Sequence, residues 1–129
     1  MNAGKYWRTT IGLALAACAA EPPSSPAVPP VCEVGTVLVI SATAPPVFSW
    51  SPACAVHSVY VSSNGFRRWF ISHPVPIIVS PVTYGVLPTN ATELEGAIPL
   101  IPGVGYDVSL VVWDSLGIKG VARVSFVAP

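Results

Sequence analysis

Charge is what this sequence has least of. Its 129 residues hold 6 Lys and Arg against 6 Asp and Glu, 9% of the chain, for a formal net charge of zero. Nucleic-acid binding needs a basic face that displaces counterions from phosphates, and six scattered cations do not make one. Histidine occurs twice, as His57 and His73. No Gly-x-Ser-x-Gly elbow, His-Glu-x-x-His helix or glycine-rich phosphate loop is present, so the residue sets that support hydrolysis or phosphoryl transfer are missing. Helical periodicity is absent too. The 15 prolines and 10 glycines are spread along the chain, and both residues weaken a helix interior. What is abundant is apolar: hydrophobic residues make up 52%, too many for a disordered chain.

The first apolar run carries an address. Lys5 and Arg8 precede Thr9 to Ala17, and small residues lead to Cys18. A cationic head, a short apolar core and small residues at a cut site make a secretory signal. Leu15-Ala16-Ala17-Cys18 resembles a bacterial lipobox, in which the signal is removed before the cysteine and the cysteine is acylated. A plain secretory cut after Ala17 or Ala20 is the alternative. A membrane-spanning helix is the weaker one, because about 20 consecutive apolar residues are needed and Glu21-Pro22-Pro23 ends the run. The expectation is a signal peptide over 1–17, a lipidated Cys18 opening a Pro-rich tether over 18–33, and one domain over 34–129. The lipobox resemblance implies a bacterial envelope protein held to the membrane by its N-terminal lipid. Ala19 rather than Asp after the cysteine favours the outer membrane. Cleavage before Cys18 leaves 112 residues with four cations and six carboxylates, a side-chain net of −2.

Of the three cysteines, Cys32 and Cys54 remain as a pair once Cys18 is acylated. Export puts them where disulfides persist, and a bridge between them is expected. Burial of both as small free hydrophobes is the alternative. A metal site lacks a second pair at ligand spacing. Glu93-x-Glu95 alone is too sparse for calcium, and no cofactor is expected. Asn90-Ala91-Thr92 matches a glycosylation acceptor, an accidental match in a bacterial lipoprotein.

Beyond the tether the texture is short β-branched runs between Pro, Gly, Asn and Ser. Strands are expected over Val37–Ile40, Val47–Trp50, Val56–Val61, Phe66–Ile71, Ile77–Tyr84, Tyr106–Trp113 and Val121–Val127. Asn64-Gly65 suits the positive φ angles of a type I′ hairpin. Pro81 would place its strand at an edge or a bulge. Tyr106, Val108 and Leu110 alternate with polar residues and are expected in the core with Trp50. The fold class read from this spacing is all-β, a single antiparallel β-sandwich.

Two segments are similar to the fibronectin type III family: Phe48-Ser49-Trp50-Ser51-Pro52, like its second strand with a core tryptophan, and Leu100-Ile101-Pro102-Gly103-Val104-Gly105-Tyr106-Asp107-Val108, like its Leu-x-Pro-Gly-x-x-Tyr-x-Val pattern. The resemblance covers Val34 to Pro129 and implies an immunoglobulin-like sandwich. It further implies that the Tyr106 hydroxyl bonds back to the corner before it, with Leu100 packed beneath. The disulfide candidate and the Pro-rich stretch between Ile71 and Leu100 depart from the family pattern. No Arg-Gly-Asp loop is present.

Phe66-Arg67-Arg68-Trp69-Phe70 combines arginine with aromatics, the composition of interface hot spots. Phe66, Arg67, Arg68 and Phe70 are therefore the candidate binding surface. The plainer reading is a strand with Trp69 and Ile71 inward and Arg68 and Phe70 outward. His57 is expected on a strand surface and His73 in a loop, so catalysis by these with Asp107 has little support. The function expected is a non-catalytic binding or structural module contacting an envelope protein or glycan. An accessory subunit of a larger envelope assembly, with no ligand of its own, is the alternative, and a small hydrolase trails both.

Overall fold

The computed structural model describes residues 28–129; the lipobox and its Cys18 lie outside the described residues. Every regular element among them is a strand. They are β1 (Val37–Ile40), β2 (Val47–Ser51), β3 (Ala55–Val56), β4 (Ser58–Ser63), β5 (Phe66–Ser72), β6 (Ile78–Val79), β7 (Val82–Thr83), β8 (Thr92–Glu95), β9 (Gly105–Asp114) and β10 (Gly117–Val127). All named pairings are antiparallel. They form a three-stranded sheet ordered β1-β2-β7, a five-stranded sheet ordered β10-β9-β4-β5-β8, and a small β3-β6 pair. None closes into a barrel. This all-β arrangement is compatible with a sandwich.

Alternation builds the core. Successive strand residues point to opposite faces, so Val59 and Val61 of β4, Trp69 and Ile71 of β5, and Val108 and Leu110 of β9 turn inward and are fully buried. Phe48, Trp50 and Val82 join them from the three-stranded sheet. Phe48 meets Phe126 of β10 edge to face, with ring centroids 5.9 Å apart. Polar tips within the core have partners, as burial requires. Trp50 Nε1 donates to the Cys54 carbonyl at 3.0 Å, and Trp69 Nε1 donates to Glu93 Oε2 at 3.2 Å. Tyr106 stands at the start of β9, where its hydroxyl accepts the Ile101 N–H at 2.9 Å. Leu100 packs against the core beside it.

Turn chemistry matches the connections. Asn64 and Gly65 both have positive φ, 51° and 79°, and join β4 to β5 as the Asn-Gly dipeptide predicts. The Cys32–Cys54 disulfide is present, with Cα atoms 4.9 Å apart. The chain is attached already at Pro30, whose carbonyl accepts the Ala55 N–H at 2.8 Å, while Cys32 N–H donates to the Ala55 carbonyl at 2.9 Å.

Two expectations need correction. Ile77 to Tyr84 is not one strand: β6 pairs with β3 and β7 with β2. The chain changes sheet between them at Ser80-Pro81, where proline has no N–H to continue a ladder. His57 is not a surface residue. It is buried because the Trp113 ring stacks over it, with centroids 4.8 Å apart. β8 carries no strand signal of its own; it forms because β5 offers an open edge, with Phe70, Ile71 and Ser72 facing Glu95, Glu93 and Thr92.

Candidate binding face of the five-stranded sheet

The residues that alternate away from the core meet on the outer face of the larger sheet. From β4 these are Ser58, Tyr60 and Ser62, which face Val111, Ser109 and Asp107 of β9. From β10, Ile118 faces Trp113 and Gly120 faces Val111. Cross-strand partners share a face, so serine and glycine lie among aromatic side chains here. The result is an open trough of about 690 Å³, with Arg67 and Phe70 of β5 on one flank beside Tyr60 of β4, and Ile118 of β10 on the other beside Trp113 of β9.

A bulge decides which arginine reaches it. Val61 pairs with Trp69, but Ser62 pairs with Arg67, leaving Arg68 as the extra residue. A bulge of this kind re-aims a side chain. Here it puts Arg67 on the side of Phe70, its guanidinium 4.6 Å from the Phe70 ring centroid and 5.9 Å from that of Tyr60. Tyr60 and Phe70 pack edge to face at 6.2 Å. Glu95 approaches Arg67 at 3.6 Å, both side chains about half exposed. Arg68 instead serves the fold: its carbonyl accepts the Ile98 N–H at 3.0 Å, and the Tyr84 hydroxyl beside it donates to the Ile98 carbonyl.

The opposite flank is fixed from beneath. His57 Nδ1 accepts the Trp113 N–H at 2.9 Å. Burial, with the neighbouring His73 second, holds the imidazole below its ordinary range. A neutral ring with a free Nδ1 lone pair is the form that accepts this bond. Beyond the far end of the trough, Asp107 accepts from the Ser125 hydroxyl and from Arg123 Nη2 at 3.1 Å. The serine bond first, and the arginine second, hold its carboxyl below the usual carboxylate range.

Of the expected surface residues, then, the structure brings Arg67 and Phe70 together. Arg68 is taken by the bulge, and Phe66 lies beyond the trough at the exposed end of β5. Tyr60, Trp113 and Ile118 were missed, since only the β4–β9–β10 pairing assembles them. His57, His73 and Asp107 do not converge. His57 abuts Ser58, whereas Asp107 faces Ser62, four residues or roughly 13 Å along the strand. His73 Nδ1 sits 3.0 Å from the Val75 N–H in its own loop. Among the described residues no cluster of three or more His, Cys, Asp or Glu is placed to hold a metal ion, and no helix is long and apolar enough to cross a membrane. The lipidation expected at Cys18 falls outside the described residues. Comparison with protein families, with curated proteins and with solved structures finds no match.

Proposed function

We propose that the chain is a bacterial envelope lipoprotein, acylated at Cys18, whose fibronectin type III-like sandwich binds a glycan or protein of the envelope on the outer face of its five-stranded sheet. The aromatic trough carries this reading. Two flanks of half-exposed rings with serine and glycine among them present flat apolar surfaces beside hydrogen-bonding groups, the mixture expected of a ligand site. The family type is supported by the strand order, with β1-β2-β7 against β10-β9-β4-β5, and by the Tyr106 hydroxyl bonded back to its corner, a hallmark of immunoglobulin-like sandwiches.

The test is capture of envelope glycan fragments and proteins by the full-length lipoprotein in detergent, compared with Tyr60→Ala, Phe70→Ala and Trp113→Ala. Ligand retained by the parent and lost from the variants, with unchanged melting curves, is the expected result. Equal capture by all four proteins would sink the assignment of the trough. A stoichiometric protein partner held equally by every variant would identify an accessory subunit instead.

A further inference from the structure

One end of the domain gathers the departure of the chain and an apolar tip. Ala55 receives Pro30 and Cys32. His57, two residues on, donates its N–H to the Val111 carbonyl and accepts the His73 N–H at its own carbonyl. The β9–β10 turn and the loop after β5 therefore project from the end at which the N-terminal segment joins. That turn is the most exposed apolar feature described: Leu116 is 95% and Ile118 80% solvent-exposed. Val31, Val34 and Val75 at the same end are also exposed. Trp113, half-exposed, faces Ile118 across the hairpin, and Lys119 follows. The opposite end holds the Asn64-Gly65 turn, the start of β9 and the C-terminus, tied by Ser63 Oγ to the Gly105 carbonyl at 3.0 Å.

We infer that this end seats on the lipid bilayer, with the Leu116–Ile118 hairpin tip dipping into the interface. The inference rests on the reading of Cys18 as the acylated residue. Twelve residues, Ala19 to Pro30, separate that cysteine from the domain. A chain of that length can span at most about 40 Å. The N-terminal end is thus confined near the surface at high effective concentration. Leucine and isoleucine at the tip supply a shallow apolar wedge, and tryptophan and lysine are residues that settle at the headgroup level. The acyl chains by themselves suffice for attachment; what the tip adds is a second point of contact. It also fixes orientation: the Trp113–Ile118 end of the trough lies at the membrane surface, and its remainder, past Tyr60 and Arg67, stands clear of it.

The experiment labels full-length, acylated protein with a fluorophore at Ser115→Cys or at Val127→Cys. The new thiol is free, because Cys32 and Cys54 are bridged and Cys18 is acylated on this reading. The proteins are placed in phosphatidylethanolamine and phosphatidylglycerol vesicles containing lipids with nitroxide-bearing acyl chains. Position 115 should be quenched several-fold more than position 127. Adding Leu116→Ser and Ile118→Ser should abolish that difference while the protein still sediments with the vesicles. Equal quenching at both positions in sedimenting protein overturns the seating and leaves the anchor intact. Protein that stays in the supernatant and carries no acyl mass on Cys18 overturns both.

Discussion

Replacing Tyr106 with Phe isolates one bond at the corner before β9. The ring is buried, tilted against Phe126 with centroids 5.8 Å apart, and phenylalanine keeps that packing. What is lost is the acceptor for the Ile101 N–H, 2.9 Å away. A typical intramolecular hydrogen bond contributes about 1 kcal/mol net, and a buried donor left unpaired costs about 1–3 kcal/mol. Ile101 itself is 62% exposed, so water can reach its amide and the loss falls near the lower figure. One kcal/mol moves the midpoint of a domain this size by about 4–8 °C. Tyr106→Ala adds the loss of the ring, about 3–5 kcal/mol, a large share of a small domain's total stability. Thermal and urea melts followed by tryptophan fluorescence rank the three proteins, and amide exchange at Ile101 should quicken in the Phe variant. If Tyr106→Phe melts with the parent and Ile101 stays as protected, the hydroxyl does not hold the corner.

Reducing the Cys32–Cys54 bridge, or replacing both residues with Ser, frees a loop closed over a separation of 22 residues; the chain-entropy account gives about 3 kcal/mol, read as a lower urea midpoint. Lowering pH should destabilise the fold through His57. Its folded value lies below the ordinary 6.5, so the unfolded chain takes up protons first and stability is lost as pH falls below that value; His57→Asn should flatten this limb of a pH series of melts. Tyr84 acts at the other extreme: burial first, and Tyr106 second, push its hydroxyl up to about 12 from 10.0. Stability from this group is whole below pH 10 and drains between 10 and 12, and Tyr84→Phe should remove the slope. Trp50→Ala should cost about 3–5 kcal/mol, whereas Phe70→Ala, half-exposed beneath Arg67, should cost far less; equal losses would contradict the assignment of their faces.

The legible parts of the fold were those set by neighbours in sequence. Val37–Ile40 was read with its observed bounds, and the Asn64-Gly65 turn follows from the backbone freedom of those two residues. The inward set Tyr106, Val108 and Leu110 follows from strict alternation. Illegible were features decided by distant partners. Nothing local says that Ser80-Pro81 changes sheet, or that Thr92–Glu95 becomes a strand on the free edge of β5. The candidate site shows the same division. Arginine beside aromatics drew attention to Arg67 and Phe70, yet the choice between Arg67 and Arg68 was made by a bulge against β4. Tyr60 and Trp113 lie 53 positions apart and share a trough only through sheet order. The burial of His57 has no local signal, because its cover, Trp113, comes from the end of β9.

The placement of the two termini has a mechanical consequence. The chain enters beside Ala55 and leaves at Pro129, beyond the far end of β10. Tension applied between the two ends of the described domain therefore runs parallel to the long β9–β10 ladder. Such a load shears the ladder, straining many of its bonds at once, where a pull across the strands would unzip them singly. At the entry side the Cys32–Cys54 bridge diverts force around β1 and β2 into the β3 junction. The bridge therefore spares the four-residue β1–β2 ladder from a pull along the length of the domain.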